Sequence, residues 1–547
     1  MDSLEIPHIQ NSIHFYEVLS NVLYYHLPIR HISISNQPDE KFATFAQAIK
    51  AADSLTGITF DDVSIIQQNF AVLEKVINSL PNFRSISFQH VLKNSTFDSF
   101  KSDFLTGYVT QRLQMFNLDR TQCLDNEKIA ALIKDLPVIN SLSLAECNLD
   151  VAETLKIISS SNINTLRFIN LSGNKAISPF TEISNLPNDI VRIDVNNLEW
   201  EESIFPTFVK FIFSYKFKKG LRLYLSHTNV SQEDWSAALE IITNSAHHPL
   251  TELGWNGNPI SAQFINFLKS NQQLHTLFVN DVFSQENESQ FKLFVESINE
   301  FKSLKNLVIR GSSEKNLGRN ISPLFETLIK HPSISLLDVT GHEIGDEGLN
   351  QLCNLVQQQP LLNCLIFDNS KFSEIQSLAN LVEAGKSRNT PICIQYPLPD
   401  IRDHDFASED LNKIISGIEI ARKPRSSHEI QSNSAFEQPF EYFVSEFTDE
   451  FPLYINEDLE KEFELTFTNM KGSTRSKHHI HKPHSQAHDD NDNDEWVEEE
   501  EINEPEEEEE QLETIEHKQW RENLQHLYQE MDVAKPEYDG LIDRVTP

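Results

Sequence analysis

One short pattern recurs along most of this chain: an apolar residue, two others, a second apolar residue, one other, and a third apolar residue. A few polar residues and an amphipathic stretch follow each time. Clear instances are Leu166-Arg-Phe-Ile169-Asn-Leu171, Leu250-Thr-Glu-Leu253-Gly-Trp255 and Leu304-Lys-Asn-Leu307-Val-Ile309. The middle apolar residue falls at Ile32, Ile58, Ile86, Phe116, Leu142, Ile169, Ile193, Leu223, Leu253, Leu277, Leu307, Leu337 and Leu365, with a closing candidate at Ile394. Successive centres lie between 24 and 30 residues apart. A period near ~28 has room for one short strand and one helix per unit. Between Leu337 and Leu365, for example, Leu349, Leu352 and Val356 mark one helical face. A single unit cannot bury that face, so neighbours must stack into an open-ended array. The expected fold is therefore α/β: a right-handed solenoid shaped as a horseshoe, with parallel strands on the concave face and helices on the convex face.

The stretches Leu336-Leu-Asp-Val-Thr-Gly-His-Glu-Ile-Gly-Asp-Glu-Gly-Leu349 and Ile169-Asn-Leu-Ser-Gly-Asn174 resemble the ribonuclease-inhibitor-like class of leucine-rich repeats, over roughly residues 27 to 396. The resemblance implies an Asn or Cys five positions after each centre, its side chain serving backbone groups of the adjacent turn. Asn174, Asn258 and Cys147 keep that pattern, whereas Thr121, Thr228, Ser312, His342 and Ser370 replace it.

Around the repeats, residues 1–26 are expected to form a helical N-terminal cap and 397–470 a C-terminal cap and extension. Residues 471–511 read as a disordered His-rich, then Glu-rich linker, 512–532 as an amphipathic helix, and 533–547 as a disordered end. Within the extension, Asp410 to Ile420 has the spacing of a short helix, and Arg422-Lys-Pro-Arg-Ser-Ser427 opens a polar linker or a kinase or nuclear-import signal. Phe436 to Phe467 carries nine Phe and Tyr among Asp and Glu. It is expected either to pack back on the last repeats or to dock a partner. The run His478, His479, His481, His484 and His488 offers metal-binding side chains but no fixed scaffold, so it reads as solvated coil and no metal site is expected.

A formal charge of −37 on 547 residues opposes contact with phosphate backbones and anionic headgroups, which argues against nucleic acid and membrane as partners. Seventeen of the acidic residues crowd between Asp489 and His517, a segment too polar to fold alone. Five unpaired cysteines and the absence of an apolar leader or a long apolar run suit a cytoplasmic protein, with the nucleus as the alternative. Glycine loops for phosphate, nucleophile elbows, His-Glu-x-x-His and spaced Cys pairs are missing, and Gly totals only 15, so neither a cofactor nor a catalytic centre is expected.

The residues between the apolar positions are expected to face the concavity. Arg30, Arg84, Arg167, Arg192, Lys305 and Arg310 stand against Asp61, Asp119, Asp194, Glu252, Asp338 and Asp368, which reads as a neutral face. Phe168, Tyr224 and Phe278 are its expected exposed aromatics. Arg167, Phe168, Arg192, Tyr224, Phe278, Lys305 and Arg310 are accordingly candidate contacts for a protein partner. The basic stretch Lys216-Phe-Lys-Lys-Gly-Leu-Arg222 either meets an acidic partner or is a solvated helix end. In the tail, Ile515, Trp520, Leu524, Leu527 and Tyr528 recur near helical spacing and would dock a partner or the horseshoe itself.

These features read as a non-enzymatic protein-interaction scaffold. The repeat type and count look like those of CARMIL-type actin regulators, which implies a cytoskeletal role. The alternatives are a Ran-type GTPase-activating protein, which pairs this repeat class with an acidic segment, and a histone-binding protein acting through its acidic tail.

Overall fold

The computed structural model describes residues 3–6, 29–35, 42–50 and 52–423, apart from 162, 184–185, 246–247, 403 and 405. Seventeen strands occur among them: β1 (Ser3–Ile6), β2 (His31–Ser35), β3 (Gly57–Asp61), β4 (Ser85–Gln89), β5 (Met115–Asn117), β6 (Ser141–Ser143), β7 (Phe168–Asn170), β8 (Lys175–Ala176), β9 (Arg192–Asp194), β10 (Glu199–Trp200), β11 (Leu221–Tyr224), β12 (Leu250–Gly254), β13 (Thr276–Phe278), β14 (Asn306–Val308), β15 (Leu336–Asp338), β16 (Cys364–Ile366) and β17 (Cys393–Ile394). Fifteen of these form one parallel sheet in chain order, with β8 and β10 paired separately. The fold is a leucine-rich-repeat horseshoe, with the sheet lining the concave side and the helices between strands covering the other face.

Every strand centre read from the sequence sits in one register row. Ile32 pairs with Ile58, Ile58 with Ile86, and so on to Leu365 and Ile394, the one register shift, between Leu221 and Arg222 against β12, falling before the centre Leu223. A one-residue slip would turn every apolar side chain to the wrong face, so the pattern itself pins the register. One expectation is corrected at the start of the chain. Residues 3–6 form a strand, with Leu4 paired to Ile32, where a helical cap was expected. The 28-residue step from Leu4 to Ile32 fits the repeat period, but one isolated strand pattern with a helix-compatible sequence after it gives little signal.

The core is a continuous column of apolar residues between sheet and helices, running from Ile29 to Ala421. Its N-terminal half accounts for much of the phenylalanine content. The Phe60 and Phe88 rings stack at 5.5 Å, Phe88 meets Phe100 and Phe104 edge-on at 5.4 Å, and Phe100 lies over Phe116 at 6.1 Å. The Phe60–Phe88 and Phe100–Phe116 pairs bridge neighbouring repeats, so aromatic packing ties units together that could not be stable singly.

The turn after most strands is built the same way. The residue four beyond the centre adopts positive φ at Asp62, His90, Arg120, Glu146, Gly173, Asn197, His227, Gly257, Asp281, Gly341 and Asn369. Glycine meets that demand at no steric cost, which explains Gly173 in Ser-Gly-Asn174. The next residue then turns its side chain into the column. Asn174 Oδ1 accepts from the N–H groups of Cys147 (2.9 Å) and Leu149 (3.0 Å), and its Nδ2 donates to the carbonyls of Leu144 (2.7 Å) and Leu171 (2.9 Å). Asn258 repeats this toward Thr228 N and Leu225 O. The replacements make parts of the same bridge: Cys147 Sγ donates to Leu118 O, Thr228 Oγ1 to Leu225 O, and Ser370 Oγ to Phe367 O.

At the C-terminal end, the helix Ser408–Arg422, which contains the helix expected at Asp410 to Ile420, packs its Ile414 and Ala421 into the column. Ala421 O also accepts the Ile392 N–H beside the edge strand β17, so the last repeat is covered. The linker beyond Arg422, the aromatic segment 436–467, the His-rich and Glu-rich runs and the expected helix 512–532 with Ile515, Trp520, Leu524, Leu527 and Tyr528 lie outside the described residues.

Candidate functional site: the concave face

Strand alternation sends to the concave face the residues immediately before and after each centre, and the one three beyond it. The charged residues at those positions are Arg192, Arg222 and Arg310 against Asp61, Asp119, Asp194, Glu252, Asp338 and Asp368. Arg30, Arg84, Arg167 and Lys305 belong elsewhere. Each stands two residues before a centre, where the chain is still entering the strand, and its carbonyl accepts two N–H groups from the next repeat. The expected neutral face is therefore corrected to one with twice as many acids as bases, because four cations sit at its entry edge.

Most of these charges are already engaged. Arg192 donates to both oxygens of Asp194 at 2.8 Å, and both side chains are buried. Its guanidinium lies 4.1 Å from the centre of the Tyr224 ring. The Tyr224 hydroxyl donates in turn to Glu252, whose other oxygen lies 4.0 Å from Arg222. Burial, and then the neighbouring Glu252 carboxylate, hold the Tyr224 phenol well above its ordinary pKa. Tyr224 can lie across the sheet because the next strand offers Gly254 at the adjoining position; a Cβ there would meet Tyr224 Cδ1 at 2.6 Å. Gly254 was not singled out in the sequence, and Arg222 only as the end of the basic stretch, although the concave placement of both follows from the register once the rows are aligned.

Toward the C-terminal end, Arg310 Nε donates to Asp338 at 2.7 Å and Gln395 Nε2 to Asp368 at 2.7 Å. Burial, together with the nearby Asp400 and Asp338 carboxylates, raises Asp368 to about 6. Toward the N-terminal end, Arg120 reaches Asp61 at 2.6 Å and Gln89 at 2.8 Å. Asp119 accepts from the Ser143 hydroxyl at 2.6 Å and the Ala145 N–H at 2.7 Å, with burial raising its pKa.

The expected exposed aromatics are corrected as well. Phe168 is 6% and Phe278 5% exposed, and Tyr224 is half-buried. Phe278 forms a second apolar cluster with Val308, Leu336, Cys364 and Ile366, packed partly by Tyr224 and Cys393. Large apolar side chains on adjoining strands cover one another, so an aromatic at a concave position need not be open. Arg167, at the edge, lies 5.9 Å from the centre of the Phe168 ring. In the basic stretch, Lys218 pairs with Asp189 at 3.3 Å, and the helix Phe205–Ser214 ends before Lys216.

A shallow indentation between helices Gln67–Ser79 and Gly107–Thr110, lined by residues including Ile77, Tyr108 and Arg112, encloses no space for even a water molecule, whereas small-molecule sites hold ~300–1,000 Å³. Among the described residues no group of three or more His, Cys, Asp or Glu could hold a metal ion, and no helix is long and apolar enough to cross a membrane.

No family model matches the chain. A stretch of 179 residues is 25% identical to part of a Rho GTPase-activating protein, gacW, of Dictyostelium discoideum, covering 30% of this chain and 16% of that protein. Among solved structures, the chain is similar to the Rad7 and Elc1 complex of yeast (15% identity, 66% of this chain and 80% of that one, TM-score 0.38). It is similar also to an internalin, inlF, of Listeria monocytogenes (16%, 61% and 80%, TM-score 0.29) and to the TLR13–ssRNA13 complex (14%, 65% and 55%, TM-score 0.35). These likenesses are weak in sequence and in superposition, and the architecture rests on the chain's own strand register.

Proposed function

We propose that the chain is a protein-binding scaffold whose concave face docks a partner around Tyr224, with Arg222, Glu252 and Arg310 supplying fixed polar contacts and the buried Arg192 holding the Tyr224 ring in place. The observation that carries this is the Arg192–Asp194–Tyr224–Glu252 network. Its side chains are held in place before any partner arrives, which lowers the entropy cost of binding. The acidic excess on the face favours a partner with a basic surface. Phe168 and Phe278 support the floor of the face, while Arg167 and Lys305 would reach a partner only at the strand-entry edge.

The test is affinity capture with the full chain, followed by cross-linking of the retained protein. The double variant Arg222→Glu, Tyr224→Ala is expected to lose the partner, and Glu240→Lys on the convex helix Gln232–Asn244 to keep it. Equal retention by both variants overturns the reading.

Within this class, a cytoskeletal role of the CARMIL kind rests on repeat type and count. GTPase regulation is favoured by a different observation, the match to a protein named as a Rho GTPase-activating protein. Hydrolysis of GTP by Ran-class and Rho-class GTPases, measured with and without the chain, separates the two: no acceleration removes the GTPase reading. Histone binding rests on the acidic tail alone.

A further inference from the structure

Parallel pairing of the last two strands puts two thiols side by side. Cys364 opens β16, Cys393 opens β17, and the two are register partners. Each stands one residue before its strand centre, so both belong to the concave face, and both pack in the same apolar cluster. Neighbouring strands run about 4.8 Å apart. That lies within the roughly 4.4–6.8 Å between Cα atoms that a disulfide spans. Both cysteines are reduced in this structure. The Cys364 thiol is hydrogen-bonded to Cys393, which draws the Cys393 thiol below its ordinary pKa against the opposing effect of burial, and the Arg422 guanidinium acts in the same direction. That hydrogen bond and burial push Cys364 the other way. Cys364 is buried and Cys393 half-buried, so a reagent from solution meets Cys393 first.

The other cysteines are placed differently. Cys147 is buried and donates to Leu118 O and Ala145 O. The Cys123 thiol lies 3.7 Å from Leu92 O, and Cys353 sits on the helix Gly345–Gln358 with its thiol pushed up to about 11 by burial. None of the three has a cysteine as its register partner.

We propose that Cys364 and Cys393 form a reversible disulfide with glutathione disulfide as oxidant, stapling the edge strand β17 to the body of the solenoid. The Cys393 thiolate attacks one sulfur of glutathione disulfide, whose S–S bond breaks and releases one glutathione thiolate. Cys364 then gives up its proton to a leaving thiolate and attacks the Cys393 sulfur, expelling the second glutathione. Two protein thiols are oxidised and one glutathione disulfide is reduced to two glutathione molecules. Because β17 lies beside the helix Ser408–Arg422, the staple tightens the segment from which the chain continues toward its acidic tail.

The experiment incubates the full chain across ratios of reduced to oxidised glutathione, quenches with acid, alkylates free thiols under denaturing conditions and maps peptides by mass spectrometry. A linked Cys364–Cys393 peptide is expected to rise with the oxidised fraction and to vanish with dithiothreitol, while Cys123, Cys147 and Cys353 stay alkylatable. Amide exchange in 392–394 and 408–422 should slow roughly tenfold or more on oxidation. The Cys393→Ser chain should give no linked peptide and no change in exchange. Reaction that stops at a glutathione adduct on Cys393, linkage to another cysteine, or no oxidation at any ratio overturns the proposal.

Discussion

Asn174 satisfies backbone groups of two successive turns with one amide, from a fully buried position. Truncation leaves two N–H donors and two carbonyls without their partner, each costing about 1–3 kcal/mol if not re-paired. Partial relaxation of the turn offsets some of that. Asn174→Ala is expected to lower unfolding stability by about 3 kcal/mol in urea titration; a loss below about 1 kcal/mol means the turn closes without its bridge. His342 stands at the same offset in its own repeat and does the work with an imidazole. Its Nδ1 accepts from Leu317 N–H at 3.1 Å, so its Nε2 carries the proton and donates to Ile309 O at 2.8 Å. Burial lowers its pKa to about 4, below the 6.5 of the free side chain. The unfolded chain therefore binds a proton that the folded chain refuses between those values. The stability this ring contributes is whole above pH 6.5 and falls as pH drops toward 4, by about 2 kcal/mol at pH 5. His31, lowered to about 4 by burial, adds a loss of the same sign. His342→Asn, which restores the repeat's usual residue, should flatten the fall in stability between pH 7.5 and pH 5; an unchanged slope assigns the acid sensitivity elsewhere.

Strands and their register were almost wholly legible, because three apolar residues at fixed offsets recur often enough to average out substitution. Ile32 through Ile394 pair as their spacing implied. The site was less legible for a definite reason. Whether a charged residue faces a partner depends on a single position of offset, and Arg167 and Lys305 fall on the wrong side of that boundary. Whether an aromatic is open depends on its lateral neighbours, which belong to other repeats: Phe278 is covered because Val308, Leu336 and Ile366 happen to adjoin it. Gly254 shows the same dependence in reverse, since its missing side chain gives the Tyr224 ring somewhere to lie. Gly254→Val should lift that ring from the sheet and break its contact with Arg192 without unfolding the array. Tyrosine fluorescence offers no clean readout among 11 tyrosines. NMR of the Arg192 guanidinium does: its proton resonance should lose the upfield shift imposed by the ring 4.1 Å away. Retention of that shift shows that the ring stays down.

At the scale of the whole molecule, the sheet runs unbroken from β1 to β17, and its hydrogen bonds all point along the axis of the array. Contacts join each repeat mainly to the next, so stability is a sum of local terms and has no single centre. This geometry has a mechanical side. A pull between the first strand and the last helix acts along the interstrand hydrogen bonds, not across them. Every interface is then loaded in series, and the weakest yields first. Each freed unit of ~28 residues pays out on the order of 95 Å of chain at full extension. Extended this way, the horseshoe behaves as a row of separate catches that open one at a time at low tension and lengthen the molecule in near-equal steps.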